Sequence, residues 1–153
     1  MLKTYFPTEI PDILQSFLGC KIVEVRRFLF KDEYNRLPSD SKDESSDGLT
    51  VFKLDSGQHF FVVPVTENAG IKIGLGNVTN QSDLSFEKDV TENLFWKERL
   101  GVLKKIEVLS EPQNNNEFAL QLVFENHKKA VIQYIDNDNF FDSLIVSENC
   151  LLP

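Results

Sequence analysis

The apolar residues near the N-terminus repeat with the spacing of an amphipathic helix. They stand at positions 10, 13, 14, 17 and 18, which places them along one side of a helix. Thr8 is a suitable N-cap, and Gly19 follows the last apolar position, where a left-handed residue commonly ends a helix. The pattern therefore predicts a helix over residues 9–18.

A second helix is predicted within residues 82–100. Carboxylates are concentrated toward the start of this segment and cations lie at its end, an order that complements the helix dipole. The charged residues concerned are Asp83, Glu87, Asp89, Glu92, Lys97 and Arg99. Two aromatic residues near its end, Phe95 and Trp96, belong either to the core or to an exposed interface.

The other apolar runs lack helical spacing and are rich in β-branched and aromatic residues, which is typical of strands. Turn-forming residues separate them, and large side chains alternate with a period of two in the run that ends at Phe124. Pro64 cannot donate to a ladder, so a bulge or a strand end is expected there. The predicted strands cover residues 20–30, 49–54, 58–65, 70–75, 102–109, 118–124, 129–135 and 144–146.

These elements occur in the same order in two parts of the chain. The hairpin at 49–65 corresponds to 119–135 at a constant offset of 70 residues. The strand start at 21–25 is aligned with 104–108, and each follows a Leu-Gly pair. Chance similarity between two β-rich segments is the alternative explanation.

We therefore predict one α+β, β-rich domain over residues 1–153, composed of two similar halves. The first half covers 8–75 and the second covers 82–147, and each is a helix followed by three or four antiparallel strands. Duplicated halves imply a pseudo-twofold axis. Residues 31–48 interrupt the first half with serines and acidic residues, and they are predicted to be a mobile acidic loop.

Composition narrows the classes of partner. Sixteen basic and twenty-four acidic residues give a net charge of −8, which disfavours nucleic acid and anionic lipid. A basic protein partner, or simply good solubility, fits this charge better. No apolar run is long enough to span a bilayer, and the N-terminus lacks the features of a signal peptide, so a cytoplasmic protein is predicted. The two cysteines, Cys20 and Cys150, have no spacing that indicates a disulfide framework or a zinc site.

Residues that could carry catalysis or bind a metal are few. His59 and His127 are the only histidines, and both stand beside tight turns, where a solvated side chain is the ordinary explanation. The segment 136–142 resembles the start of a calcium loop, but Phe140 and Phe141 stand where an oxygen ligand and a glycine are needed. No catalytic residue, metal or cofactor is predicted.

The two halves differ most in two acidic segments, the loop at 31–48 and the turn at 136–142. Their ordinary interpretation is solvated loop and polar turn. The sharper hypothesis is that they contact a basic partner, since carboxylates and a phenylalanine supply both charge and an apolar anchor. The predicted contact residues are Asp40, Asp43, Glu44, Asp47, Asp136, Asp138, Phe140 and Asp142.

Three functions are compatible with these patterns. The favoured one is a non-enzymatic protein-binding module, most concretely an immunity or inhibitor-type protein that neutralises a basic toxin, for example a nuclease, by occluding its active site. The alternative is a small-molecule or peptide-binding β domain with a pocket between the halves. The third is a hydrolase that uses His59 or His127 with a neighbouring acid.

Overall fold

The fold is described from a computed structural model, which covers residues 6–8, 12–30, 45–46, 49–65, 70–79, 85–111, 116–135 and 143–149. Within these ranges the protein is β-rich, with two antiparallel sheets and two helices of four residues each. Neither helix has the length and apolar character needed to cross a bilayer.

The described part of the chain forms two helices and eleven strands. The helices are α1 (Asp12–Gln15) and α2 (Leu94–Lys97). The strands are β1 (Phe6–Thr8), β2 (Ile22–Phe30), β3 (Ser45–Ser46), β4 (Thr50–Leu54), β5 (His59–Val65), β6 (Gly70–Leu75), β7 (Ser85–Asp89), β8 (Leu103–Ser110), β9 (Glu117–Phe124), β10 (Lys129–Ile135) and β11 (Ser143–Ser147). All eight strands predicted from the sequence are present.

Each sheet is a four-stranded meander with additional edge strands. Sheet 1 has the order β6-β5-β4-β2-β7, and sheet 2 has the order β1-β8-β9-β10-β11-β3. Strand β1 precedes the first meander in the chain but pairs with β8, and β7 precedes the second meander but pairs with β2. Strand β3, which lies within the predicted acidic loop, pairs with β11. Each meander therefore gains an edge strand from the other part of the chain.

The two sheets are joined where β2 and β8 begin. Lys21 and Val102 form an antiparallel bridge between them. The Ile22 N–H donates to the Gly101 carbonyl at 3.1 Å, and the Leu103 N–H donates to the Cys20 carbonyl at 2.9 Å. This junction holds the starts of the two meanders side by side.

The core lies between the two sheets and is filled largely by aromatic side chains. Phe52 stacks on Phe60 with a centroid distance of 4.9 Å, and Trp96 meets Phe52 edge-on at 5.7 Å. Phe17 of the turn after α1 stacks on Phe60 at 5.6 Å. Trp96 is 1% exposed, so its assignment to the core is correct. Buried aromatic residues of this size supply a large share of the hydrophobic stabilisation.

The first helix is much shorter than the predicted one. Regular α-helix covers Asp12–Gln15, and the chain continues through i→i−3 turns, in which the N–H groups of Phe17, Leu18 and Cys20 donate to carbonyls three residues earlier. Gly19 is left-handed with φ of 87°, as predicted for the residue after the apolar stripe. Leu14 and Phe17 are buried, but Ile13 is 45% exposed, since so short a helix covers only part of its apolar stripe.

The prediction of one helix within 82–100 is wrong for the first part of that segment. Ser85–Asp89 is a strand, and within the described residues 85–100 only Leu94–Lys97 is α-helical. The strand covers the open edge of β2, with Phe28 opposite Glu87 and Arg26 opposite Asp89. The hydrogen bonds that this strand makes with the edge of β2 outweigh the weak preference for a helix that comes from the order of the charges.

The pairings around the two hairpins repeat in detail. Ile22 lies opposite Leu54 and Leu103 lies opposite Phe124, and a bulge follows each pair. This register makes Leu103 the counterpart of Ile22, so the sequence alignment of 21–25 with 104–108 is displaced by two residues. The displacement is invisible in the sequence because both strands are rich in the same residue types.

Candidate functional site

The contact residues predicted from the sequence lie outside the described part of the chain. These residues are Asp40, Asp43, Glu44, Asp47, Asp136, Asp138, Phe140 and Asp142. The described residues do place the neighbours of both segments. Ser45 lies opposite Ile145 and Ser46 lies opposite Leu144 in the β3–β11 pair. Strand β3 belongs to the 31–48 segment and β11 directly follows the 136–142 segment in the chain, so the described strands next to the two segments are paired with each other.

The outer face of sheet 1 is crossed by the chain that leaves β6. Arg27 of β2 is buried, and its Nη2 donates to the Leu144 carbonyl of sheet 2 at 2.7 Å. Since successive side chains of a strand point to opposite faces, the preceding residue, Arg26, points to the outer face. Arg26 donates to the side chains of Asn77 and Glu87 and, at 3.5 Å, to the Val78 carbonyl. Residues 76–79, which we call the strap, therefore cover part of this face on the way toward β7.

The face of sheet 1 that carries Arg26 also holds an open cleft of about 590 Å³. Its lining residues come from β2, β4, β7 and the turn after β7. They are Val23, Glu24, Lys53, Asp89, Thr91 and Glu92. Three carboxylates against one ammonium make the cleft acidic, and Val23, which is 38% exposed, supplies an apolar surface among them.

Thr91 holds the β7 wall of this cleft in position. Its hydroxyl accepts the Val25 N–H at 3.0 Å and lies 2.5 Å from Oδ1 of Asp89. The same Asp89 oxygen accepts the Thr91 N–H at 2.9 Å. An aspartate followed two residues later by a threonine is typical of such local turns. The sequence contains this aspartate–threonine spacing, but Asp89 is assigned to the start of the predicted helix instead.

An apolar groove of about 290 Å³ is lined by His59, the cross-strand neighbour of the cleft residue Lys53. It is formed by α1 and its following turn on one side and by the β4–β5 turn and the end of β6 on the other. The lining residues are Ile13, Phe17, Gly57, Gln58, His59, Leu75 and Gly76. Ile13 is 45% and Leu75 is 49% exposed, so the groove presents aliphatic side chains to solvent.

The two histidines have different surroundings. His127 is exposed in the β9–β10 turn, as predicted. His59 is half-buried at the start of β5, opposite Lys53, and lines the groove. Burial lowers the pKa of His59 below its usual 6.5, and the positive charges of Arg26 and Lys53 lower this pKa further. The lowered pKa favours the neutral form of this imidazole.

The carboxylates of the cleft are not arranged to hold a metal ion. Among the described residues, no three of His, Cys, Asp and Glu are grouped as such a site. Cys20 is a half-buried free thiol packed against the core, and Cys150 lies outside the described ranges. The chemistry that the cleft offers is charge complementarity.

Comparison of this chain with protein-family models, with curated proteins and with solved structures gives no match.

Proposed function

We propose that this protein is a non-enzymatic module that binds a basic protein partner, most concretely an immunity or inhibitor-type protein that occludes the active site of a basic toxin. The observation that carries the proposal is the acidic cleft, in which Glu24, Asp89 and Glu92 surround the exposed Val23. Carboxylates beside an apolar side chain suit a lysine or arginine, because the aliphatic stem of the cation packs while its head group pairs.

The charge of the whole chain supports the same partner. A net charge of −8 attracts a cationic protein over distances of about 8 Å at physiological salt and raises the association rate. Binding would not require the protein to perform chemistry, since occlusion of a toxin's active site is sufficient to inhibit it. A cytoplasmic location, where such a protein meets its toxin, belongs to the same proposal.

The acidic segments predicted as contacts form a second part of the proposed surface. Strands β3 and β11, which adjoin the two segments in the chain, are paired with each other. Asp47 follows β3 directly and Asp142 precedes β11 directly in the chain. The pairing of these two strands supports a common role for the acidic segments at 31–48 and 136–142.

The proposal also includes the pseudo-twofold relation of two halves. The repeated hairpin pairings, the equivalent bulges and the exchange of β1 and β7 between the sheets support it. The halves would each begin with a short strand followed by a helical turn, rather than with the helix. In this proposal, the edges at which the two sheets differ determine which partner is bound.

The alternative, a small-molecule or peptide-binding β domain, has less support. The described core between the sheets is packed with side chains such as Phe52, Phe60 and Trp96, and the cleft and the groove are both open to solvent. Sites for small ligands usually enclose most of the ligand surface.

Co-expression with the product of the adjacent gene tests the proposed function. We expect rescue of growth and a complex whose affinity falls as salt is raised. The double variant Glu24→Gln/Glu92→Gln removes two cleft charges without removing a buried contact, and we expect affinity to fall about tenfold or more, mainly through slower association.

The matched control is Glu117→Gln/Glu125→Gln, which removes two exposed charges from sheet 2 and the turn that follows β9. It is expected to leave the affinity within about twofold of that of the unchanged protein, since isolated exposed charges contribute little. Absence of a complex and of rescue, or a complex equally strong at low and high salt, would show that the proposal is wrong.

A further inference from the structure

We propose that the apolar groove is a second anchor point of the same interface. It would receive one large apolar side chain of the basic partner while a lysine or arginine of the same partner segment enters the acidic cleft. This inference depends on the proposed function and adds the chemistry of the partner's contact segment: a cation and a hydrophobic residue at a set separation.

The exposed apolar side chains point to this arrangement by their placement. Four large hydrophobic residues are exposed in the part of the chain that the structure describes. Ile13 and Leu75 line the groove, Val23 lines the adjoining cleft, and Leu94 contributes to neither. Three of the four thus lie on one continuous surface, whereas scattered single residues would indicate no interface.

The cleft and the groove are connected by one row of side chains. Glu24 lies opposite Lys53, and Lys53 lies opposite His59. Residues directly opposite in antiparallel strands point to the same face of the sheet. Lys53 lines the cleft and His59 lines the groove, so this cross-strand pair connects the two depressions.

The walls of the groove suit an apolar guest. Gly57 and Gly76 have φ of 91° and 106°, and a Cβ atom on either would meet nothing within 4 Å, so these positions leave the groove open. Burial favours the uncharged form of the His59 imidazole in this wall. Benzene fits a cavity of about 150 Å³. A groove of about 290 Å³ therefore has room for one aromatic or branched aliphatic side chain.

The strand geometry sets the separation of the two anchors. Neighbouring strands lie about 4.8 Å apart, and the row from Glu24 to His59 spans two such steps, or about 10 Å. The centres of the depressions lie somewhat beyond these residues. An extended segment rises about 3.3 Å per residue, so its cation and its hydrophobic residue should be about three or four positions apart.

Synthetic peptides test this inference by amide chemical shifts of the full-length protein. The probe is an acetylated, amidated peptide with one arginine and one tryptophan separated by two or three serines. Two control peptides replace the tryptophan or the arginine with serine. We expect the complete probe to shift the amides of Gly57 and Gly76 in the groove and of Glu24 and Thr91 at the cleft.

Substitutions assign the two anchors separately. Leu75→Ser and Ile13→Ser should abolish the groove shifts and weaken the complete probe about tenfold, because each removes an exposed apolar contact. Leu94→Ser is the matched control, since Leu94 is 71% exposed and lines neither depression, and it should leave the affinity unchanged.

The outcomes separate this inference from the proposed function. Cleft shifts without groove shifts, or equal effects of Leu94→Ser and Leu75→Ser, would overturn the second anchor and leave the basic-partner proposal standing. Absence of cleft shifts with every arginine-containing peptide would count against both. Groove and cleft shifts that respond to their own variants would support the two-anchor interface.

Discussion

The ring of Phe61 occupies the space that a side chain at Gly74 would need. The two residues lie opposite each other in the β5–β6 pair on the outer face of sheet 1. A Cβ atom on Gly74 would lie 2.7 Å from Cε1 of Phe61 and closer still to Cζ. The glycine is required here by close packing, and its backbone has no positive φ.

Gly74→Ala should therefore destabilise the protein. We expect the free energy of unfolding to fall by about 1–3 kcal/mol, because the Phe61 ring must leave its position to relieve the overlap. Urea denaturation measures the change. Gly101→Ala is the matched control, since the nearest atom to a Cβ there is the Arg99 carbonyl oxygen at 3.8 Å, and it should cost less than about 0.5 kcal/mol. Equal losses in the two variants would contradict the packing explanation.

The strap depends on the guanidinium of Arg26. This side chain is 11% exposed and donates to Asn77 and Glu87, two groups that a single ammonium cannot bond in the same geometry. Arg26→Lys should lower the free energy of unfolding by about 1–2 kcal/mol and speed amide hydrogen exchange in residues 77–79. Lys97→Gln, which removes an exposed pair to Glu92 at 4.0 Å, should change stability by less than about 0.5 kcal/mol.

Stability should depend on pH through His59. Burial and the charges of Arg26 and Lys53 lower its pKa in the folded protein below the usual 6.5. Between the folded value and 6.5 the unfolded chain binds more protons, so stability falls as pH decreases through this window. Denaturation from pH 7.5 to 5 should show a smaller slope for His59→Gln, and also for Lys53→Gln, which removes one of the positive charges. An unchanged slope in His59→Gln would refute this assignment.

The β4–β5 turn and the β9–β10 turn place different residues in the same backbone conformation. Gly57 has φ of 91° and His127 has φ of 69°. A residue with a Cβ is strained in this region, and glycine is not. His127→Gly should raise the free energy of unfolding by about 0.5–1 kcal/mol, while Gly57→Ala should lower it by about 1–2 kcal/mol. Thermal unfolding of both variants checks the opposite signs.

Local pattern was sufficient to predict the strands and their turns. Alternation and β-branched composition act over a few residues, so all eight predicted strands occur, and β4 with β5 and β9 with β10 pair as antiparallel hairpins. The prediction of a bulge or a strand end at Pro64 is wrong, because β5 continues to Val65 and Pro64 lies opposite Ile71 without a register shift. Its missing N–H is tolerated since the pairs of β5 with β4 end at Val62.

Elements that depend on distant partners were not predictable in this way. Strand β7 exists because β2 needs an edge partner, and β1 and β3 are short strands that gain their bonds from β8 and β11. Nothing in their own few residues encodes those partners. The charges of Glu87 and Asp89 suited a helix locally, but in the structure Glu87 pairs with Arg26 and Asp89 binds Thr91.

The sequence by itself determined a β-rich chain with repeated hairpins and a large negative charge, since these properties reside in composition and short-range spacing. Only the tertiary structure decided which of the charged residues lie together on the surface of the protein. Glu24, Lys53 and Asp89 are far apart in the chain and meet in the cleft because β4 and β7 pair with opposite sides of β2. Strand pairing over long sequence separations is a property of the whole fold, and it placed the cleft beside the groove.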